Sequence, residues 1–294
     1  MAQKFNVGTV VIVGVGLIGG SFALALKKAR AVKRIIGVGR TRKNLAAALR
    51  LGIIDEIARD AGEAVRQADL VLLGVPVGQM GQIMARIAPH LPQRAVITDA
   101  GSTKQDVIEQ ARRFLGEHFK RFVPGHPIAG TENSGAAAAF PGLYTGRKVI
   151  LTPQPETANA AVRFVREAWR ACGAQVVRFS ASEHDMILGA VSHLPHVAAY
   201  ALLGTLARRK DAAKLLGYSG AGLRDTVRIA GSSPEMWRDI CIANRDTLLT
   251  LLDDYMDELE LARAAIESSD GDALAALFER ARAARRRWLL TARA

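Results

Sequence analysis

The chain has 294 residues, with 40 Lys and Arg against 28 Asp and Glu, a formal charge of +12 and 49% hydrophobic residues. This composition is typical of a globular protein of one or two domains and excludes a disordered or collagen-like chain. Its two cysteines, Cys172 and Cys241, are too few and too far apart for a disulfide framework or a paired-cysteine metal site. We expect a cytoplasmic protein, because no apolar run of about 18 residues and no cleavable signal is evident.

The positive charge raises the alternative of nucleic-acid binding, since clustered Lys and Arg can neutralise phosphates. Basic clusters lie at residues 40–43 and 280–287. Aromatic residues make up only 5% of the chain, and the second cluster shares a helical pattern with Leu277 and Phe278. We interpret these arginines as a solvated helix face and keep nucleic-acid binding as a remote alternative.

The first part of the chain alternates short apolar runs with helical patterns, which predicts a parallel sheet with right-handed crossovers. The predicted strands are Thr9–Val13, Arg34–Val38, Leu70–Val75 and Ala95–Thr98, with weaker candidates at Arg121–Pro124, Lys148–Thr152 and Gln175–Phe179.

From Ser182 onward the pattern is helical, for example over Met186–Leu206, Ala221–Ile229 and Trp237–Ser268. We therefore predict an α/β Rossmann-type dinucleotide-binding domain over residues 1–180, followed by an all-α domain over residues 181–294. Surplus apolar residues in the helical half, such as Leu249 and Leu259, predict that it associates into a homodimer.

A glycine fingerprint, GVGLIGGS over residues 14–21, follows the first predicted strand and opens a helical pattern. In this context the three glycines allow a tight turn, approach of a pyrophosphate and close helix packing. The helix N-terminus adds free N–H groups for the phosphates. With the ends of the later strands, the expected cofactor-binding residues are Gly14, Gly16, Leu17, Ile18, Gly19, Val75, Pro76 and Gly101.

The end of the second strand indicates which nicotinamide cofactor binds. NAD sites usually have a carboxylate there for the ribose 2′-hydroxyl. Here the strand runs into Arg40 and Thr41, and no carboxylate appears before Asp55. Since Arg can pair with a 2′-phosphate, we predict binding through Arg40 and Thr41 with NADP preferred and NAD possible.

Three further segments carry polar side chains of catalytic type: residues 99–104 (DAGSTK), 126–135 (HPIAGTENSG) and 192–196 (SHLPH). The first two follow predicted strands, where α/β folds place their ligands. His193 and His196 have a spacing that could serve a metal, but Pro195 lies between them and no third ligand is apparent. We therefore predict no metal.

With RIA at residues 228–230 and MWRDI at 236–240, these motifs resemble the prephenate and arogenate dehydrogenases of tyrosine biosynthesis. The resemblance runs from about Val10 to Asn244 in the family's order, and HPIAGTE with SHLPH carries it more specifically than the glycine loop. It implies a Rossmann domain, a helical dimerisation domain and an active site between them. It also implies hydride transfer from a cyclohexadienol to the nicotinamide, with loss of a proton and of CO2.

The resemblance also assigns roles. His126 corresponds to the catalytic base at the substrate's 4-hydroxyl, and a neutral imidazole suits that task near pH 7. Ser102 corresponds to a serine that orients the base and the reacting oxygen. Arg228 corresponds to the arginine that binds a substrate carboxylate. Further family positions that line the pocket are Thr131, Glu132, Ser192, His193, His196 and Trp237.

Several alternatives stay open at this point. Ser102 could be only the N-cap of the following helix and Trp237 only core. His90, His118 and His184 match no motif and are expected at the surface. A hydroxyacid dehydrogenase or imine reductase would share the glycine loop but not the HPIAGTE motif. The substrate, prephenate or arogenate, is undecided, as is tyrosine inhibition, and we expect a monofunctional chain.

Overall fold

A computed structural model describes residues 5–131 and 133–291 of the chain. Its large sheet has six parallel strands in the order β3-β2-β1-β4-β5-β6. The bounds are β1 Val7–Val13, β2 Val32–Val38, β3 Glu56–Ile57, β4 Leu70–Leu73, β5 Val96–Asp99 and β6 Phe122–Val123. The strand order reverses beside β1, which makes the Rossmann-type switch point that the sequence predicted.

Helices cover both faces of the sheet, and most of them connect its strands. They are α1 Leu17–Lys28, α2 Arg42–Arg50, α3 Ala61–Val65, α4 Val77–Ile87, α5 Gln105–Phe114 and α6 Asn159–Ala171, with short 3-10 turns at Ala88–His90, Gly116–Arg121 and Ala136–Ala138. Neighbouring residues of β1 point to opposite faces, so Val10 and Ile12 pack in one apolar cluster and Val11 and Val13 in another. A sheet that is buried on both faces accounts for the continuous apolar strands in the sequence.

A second sheet follows, with β7 Gly125–Pro127, β8 Lys148–Leu151 and β9 Gln175–Arg178. In it β7 pairs antiparallel with β8, and β8 pairs parallel with β9. The sequence predicted β8 and β9 but gave no signal for the three-residue strand β7, which carries His126. The small sheet thereby holds His126 on regular backbone.

The remaining elements are helical, as predicted: α7 Ala181–Leu188, a π-helical turn Gly189–His193, α8 Leu194–Ala207, α9 Ala212–Gly217, α10 Ala221–Val227, a 3-10 turn Arg228–Gly231, α11 Pro234–Ala243, α12 Arg245–Glu267 and α13 Gly271–Thr291. Two predicted continuous helices are interrupted. The π turn lies inside Met186–Leu206, and Asn244 ends a helix inside Trp237–Ser268.

Backbone contacts divide the chain into two compact units, with the border between Arg245 and Asp246. The second unit consists of most of α12 together with α13. Ion pairs on its helix surfaces include Arg263 with Glu260 and Arg280 with Glu258. Within the single chain, Leu259 and Leu261 keep more than half of their surface exposed, at 52% and 55%.

One helical stretch, Ala181–Ala207, is long and apolar enough to cross a membrane by length and composition, with a mean hydropathy of 1.5 over 18 residues. The sequence analysis expected no such stretch. Its interior side holds His184, Asp185 and His193, which are buried and hydrogen-bonded within the protein. Only 22% of this 18-residue window is buried in the single chain, which leaves an exposed apolar surface.

Candidate active site

The turn between β1 and α1 leaves no room for side chains at two of its glycines. Gly14 has φ +99°, and a Cβ there would lie 2.3 Å from the carbonyl oxygen of Gly74. A Cβ on Gly19 would lie 2.4 Å from the carbonyl oxygen of Gly14. Gly16 instead faces open space, with no atom within 4 Å of the Cβ position. The tight turn at Gly14, the close packing at Gly19 and the open space at Gly16 are the three features that a pyrophosphate-binding loop needs.

The first turn of α1 has the electrostatics of a phosphate site. Its N-cap, Gly16, offers no side-chain cap, and no acidic residue lies in the turn. The first N–H groups, from Leu17 onward, therefore point toward the loop opening with the positive end of the helix dipole. The hydroxyl of Tyr144 donates to the carbonyl oxygen of Ile18 over 2.6 Å. This bond holds the loop of residues 133–146, which is rich in Gly and Ala, over α1.

A cleft of about 560 Å³ opens at this turn. Of the predicted cofactor residues, it is lined by Gly14, Gly16, Arg40, Thr41, Val75 and Pro76. Gly101 lies at the end of β5 instead, where its N–H donates to Asp99 over 2.8 Å. The glycine loop and the ends of β2 and β4 thus share one cleft, whose shape and chemistry fit a dinucleotide.

The β2 end of this cleft is positively charged. Arg40, Arg59 and Arg86 line it, and no carboxylate of the described chain does. Two carboxylates contact these arginines from outside the lining: Asp60 pairs with Arg86, and Oε1 of Glu235, at the start of α11, lies 3.5 Å from Nη1 of Arg40. The side chain of Gln79 also donates to Glu235, over 3.4 Å. Arg40 is therefore placed to meet a ribose phosphate but already has an anionic partner.

His126 begins a series of three hydrogen-bonded polar side chains. Its Nδ1 lies 2.8 Å from Nε2 of His184, and Nδ1 of His184 lies 2.7 Å from a carboxylate oxygen of Asp185. His184 and Asp185 are fully buried, while His126 is partly exposed. These hydrogen bonds thus lead from the protein interior to an imidazole that can contact a ligand.

The surroundings keep His126 neutral. Burial lowers the pKa of its imidazole well below the ordinary value, and His184, the ammonium of Lys104 and His193 lower it further. Burial also lowers the pKa of His184, although the hydrogen bond that His184 donates to Asp185 opposes this shift. A neutral imidazole has one nitrogen with a lone pair, so His126 can accept a proton at neutral pH.

A buried ion pair fixes the strand that carries His126. The ammonium of Lys104 contacts the carboxylate of Asp99, and both side chains are fully buried. Lys104 also donates to the carbonyl oxygen of Gly125 over 2.9 Å, and Asp99 accepts from the N–H of Gly125 over 3.0 Å. Because both residues bind the residue before His126, the end of β5 positions the imidazole.

Helix α5 takes its N-terminal cap from another helix. The two carboxylate oxygens of Asp185, on α7, accept from the N–H groups of Lys104 and Gln105, each over 2.8 Å. Burial raises the pKa of Asp185, but the bonds from His184, Gln105 and Lys104 outweigh it, and the net pKa lies below the ordinary value. Ser102 is not the N-cap, contrary to one of our alternatives, because α5 starts at Gln105.

Ser102 and the SHLPH segment meet at a second cluster. Nδ1 of His193 lies 3.0 Å from the amide nitrogen of Asn244, and its ring hydrogen-bonds the backbone of Ser102. The imidazole of His196 stacks on Trp237, with ring centroids 3.5 Å apart. Trp237 is 8% exposed and packs in the core, as one of our alternatives expected. Ser102, His193, His196 and Trp237 therefore lie next to one another.

The other predicted substrate residues lie more openly. Arg228 begins a 3-10 turn and is exposed. Burial lowers the pKa of the His196 imidazole, and the nearby charge of Arg228 lowers it further. The carbonyl oxygen of Ser192, in the π turn, lies 2.8 Å from Nδ1 of His196. Thr131 is exposed and accepts from the N–H of Asn133. Glu132 lies outside the described residues.

The prediction that His184 lies at the surface is wrong. His184 is fully buried, because it faces inward from α7 between Asp185 and His126. The capping box of Ser180 and Glu183 places His184 and Asp185 in the first turns of a helix, but it does not indicate which face of that helix is buried. His90 and His118 are partly buried but take no part in the site.

The described residues contain no group of three His, Cys, Asp or Glu side chains that could hold a metal ion. His193 and His196 have other partners, as given above.

Comparison with known proteins decides the family. Models of the prephenate dehydrogenase nucleotide-binding domain and dimerization domain match residues 22–178 and 180–280. The chain belongs to the prephenate dehydrogenase family. It is 39% identical over 280 residues to the cyclohexadienyl dehydrogenase of Zymomonas mobilis, a match that covers 94% of each protein. It is 37% identical over 276 residues to the prephenate dehydrogenase of Bacillus subtilis, covering 93% of this chain and 74% of that one.

A solved family structure shows the same architecture. The prephenate dehydrogenase of Aquifex aeolicus, in complex with hydroxyphenyl propionate and NAD+, superposes with a TM-score of 0.90 at 34% identity. The match covers 97% of this chain and 99% of that one. The Rossmann-type domain and the helical dimerisation domain are thus those of a family of nicotinamide-dependent oxidoreductases, as the sequence motifs implied.

Proposed function

We propose that the chain catalyses the oxidative decarboxylation of prephenate, arogenate or both, giving 4-hydroxyphenylpyruvate or tyrosine. The observation that carries the proposal is the imidazole of His126, held by β7 and hydrogen-bonded to His184, in a chain that also has the dinucleotide cleft. The hydroxyphenyl propionate bound by the Aquifex aeolicus relative contains the phenol that such a reaction forms. The family names add that relatives act on cyclohexadienyl substrates and on prephenate.

His126 is proposed as the group that handles the hydroxyl proton. As C4 of the substrate gives up its hydride, the C4 oxygen loses its proton to Nε2 of His126 and becomes a carbonyl. The bond from C1 to the carboxylate then breaks, CO2 leaves, and its electron pair makes the ring aromatic. The phenolate oxygen takes back the proton, so His126 acts first as base and then as acid. The nicotinamide cofactor, when bound, supplies the hydride acceptor.

Other side chains are proposed to bind and orient the substrate. Arg228 presents a planar cation that suits a carboxylate, beside the stacked rings of His196 and Trp237. Ser102 lies at the carboxyl end of β5 and orients the reacting oxygen relative to His126. Further proposed substrate contacts are Thr131, Glu132, Ser192 and His193. A carboxylate at Glu132 that faces the substrate side chain would favour the ammonium of arogenate.

NADP is proposed as the preferred cofactor, with NAD also accepted. The support is the arginine-lined end of the cleft at Arg40, with the Thr41 hydroxyl beside it and no carboxylate in the described lining. Glu235 opposes this preference, since it contacts Arg40 and would repel a 2′-phosphate. A 2′-phosphate must therefore displace Glu235 as the partner of Arg40.

The chain is also proposed to be a cytoplasmic homodimer, with a cofactor domain over residues 1–180 and a substrate and dimerisation domain over 181–294. The exposed apolar residues of α7 and α8, such as Ile187 and Leu202, support association of two copies. So does the match to the family's dimerization domain.

The decisive experiment follows the absorbance of reduced nicotinamide with prephenate or arogenate and with NAD or NADP, in all four pairings. Turnover with either substrate supports the proposed reaction and settles both preferences. A matched variant, His126→Asn, should bind the cofactor like the wild type but lose turnover by at least about 100-fold, as expected for loss of a general base. No turnover in any pairing, with the cofactor still bound, would refute the proposed reaction.

A further inference from the structure

We propose that His184 and Asp185 are positioning residues that hold His126 as the Nδ1–H tautomer and receive its Nδ1 proton when Nε2 is protonated. The inference rests on the proposed role of His126 as base. It assigns a task to two buried side chains that belong to none of the sequence motifs.

The direction of each hydrogen bond follows from the interior end. The carboxylate of Asp185 can only accept, and its two oxygens already accept from the N–H groups of Lys104 and Gln105. The bond of 2.7 Å to His184 therefore requires a hydrogen on Nδ1 of His184. A neutral imidazole has only one N–H, so Nε2 of His184 carries a lone pair.

The same reasoning then fixes His126. Because Nε2 of His184 is an acceptor, the 2.8 Å bond between the rings requires the hydrogen on Nδ1 of His126. The lone pair of His126 is thereby left on Nε2, the nitrogen that this chain of bonds does not use. A hydrogen on Nε2 would leave the inner nitrogens of both rings without a hydrogen between them. Two buried residues thus select the form of His126 that can act as a base.

The hydrogen-bonded side chains can also move the positive charge of a protonated His126 to His184. When a substrate proton reaches Nε2 of His126, the Nδ1 proton can pass to Nε2 of His184. His184 then becomes the imidazolium, in contact with the Asp185 carboxylate, and His126 is neutral again. The reverse transfer returns the proton when the phenol forms. Proton count is conserved at each step, and no further donor is needed.

The charged groups around the pair fit this role. Burial and the ammonium of Lys104 lower the pKa of both imidazoles, whereas the carboxylates of Asp185 and Asp99 oppose this lowering at His184. His193, the other titratable group that lowers the pKa of His126, is itself neutral near pH 7, with burial lowering its pKa to about 4. Only Asp185 offers His184 a directly bonded anion among the described residues. The cation is therefore better placed on His184 than on His126.

His184 can be tested separately from the fold. Asp185 caps α5, so its removal would disturb two helices. His184 has no capping role, since Ser180 and Glu183 cap α7. His184→Leu removes the acceptor that faces His126, whereas His184→Gln retains a carbonyl oxygen that can accept from Nδ1–H. His118→Gln, in a 3-10 turn and outside the site, is the matched control.

The first measurement is the tautomer of His126 in the full chain labelled with 15N-histidine, from long-range proton–nitrogen correlations assigned with His126→Asn. We expect the Nδ1–H form in the wild type and in His184→Gln, and a change to the Nε2–H form in His184→Leu. An Nε2–H form in the wild type would overturn the proposal, and this outcome does not depend on the folding of any His184 variant.

The second measurement is steady-state kinetics of the same variants. We expect His184→Leu to lower kcat about 100-fold with KM within about threefold, and His184→Gln to lower kcat about tenfold or less. His118→Gln should keep the wild-type kcat. Wild-type turnover in His184→Leu, with His126→Asn inactive, would refute the positioning role alone. Wild-type turnover in His126→Asn would refute the proposed base itself.

Discussion

The carboxylate of Glu235 lies 3.5 Å from the guanidinium of Arg40, so a residue of α11 reaches the end of β2 where a ribose phosphate would bind. Both side chains are largely exposed, at 48% and 70%. The pair therefore contributes little to stability. Its consequence is for the cofactor, because Glu235 competes with a 2′-phosphate for the same cation.

We predict that Glu235→Gln raises kcat/KM for NADP by about threefold to fivefold and leaves NAD nearly unchanged, since an exposed ion pair is worth at most about 1 kcal/mol. Arg40→Ala should lower kcat/KM for NADP by about 10- to 100-fold, the loss of one or two charge-assisted hydrogen bonds. Initial rates with both cofactors measure this. Arg50→Ala, at the exposed end of α2, is the control, and equal losses with NAD and NADP in Arg40→Ala would contradict the assignment.

A second prediction concerns the buried pair of Lys104 and Asp99. Lys104→Met leaves a fully buried carboxylate without its cation, which should cost about 3–5 kcal/mol of unfolding free energy. The double variant with Asp99→Asn should recover part of that loss, because no uncompensated charge remains. Urea unfolding of the two single variants and the double variant measures the coupling. Additive losses in the double variant would show that the two groups do not act as a pair.

A third prediction follows from the lowered pKa of His193. Burial brings this pKa to about 4 in the folded chain, whereas an unfolded histidine titrates near about 6.5. The unfolded state therefore binds the extra proton first as the pH falls. Above about pH 6.5 His193 is neutral in both states and has its full stabilising effect. As the pH falls from about 6.5 to about 4, the free energy of unfolding decreases by roughly 3 kcal/mol.

The measurement is the pH dependence of the free energy of unfolding for the wild type and for His193→Gln. We expect the variant to be less stable at pH 7 but to have a shallower slope between about pH 4 and 6.5. His126 and His184, whose pKa values are also lowered by burial, keep part of the slope in the variant. Identical slopes in the two proteins would contradict a buried neutral His193.

Much of the fold was predictable because its signals are local. The strands β1, β2, β4 and β5 are buried on both faces and appear as apolar runs, and the glycines at 14, 16 and 19 follow β1 directly. The strands β3 and β7 were missed because two or three residues show no periodicity. β7 is a strand only because it pairs with β8, more than 20 residues later in the chain.

In the candidate site, too, the residues with local sequence signals were predicted and those that depend on distant contacts were not. His126, Ser102 and the SHLPH segment were found through motifs. His184 was missed because its role depends on a partner 58 residues away in the sequence, and a polar residue in an amphipathic helix is usually exposed. Asn244 was read as helix interior, yet its amide donates to the carbonyl oxygen of Asp185 and meets His193. Such contacts across elements have no signature in a single sequence.

The π-helical turn at Gly189–His193 has a consequence for how this site tolerates insertions and deletions. A π turn holds one residue more than an α-helical turn, and each residue rotates a helix by about 100°. In α8 the stacking of His196 on Trp237 and the bond from Tyr200 to the carbonyl oxygen of Ser232 lie on the same side, one turn apart. Loss of a single residue from the turn would give a more regular helix and turn both side chains away from their partners. The π turn thus determines which side of α8 faces Trp237 and Ser232. In this part of the chain, insertion or deletion of one residue should therefore disturb the site more than most substitutions.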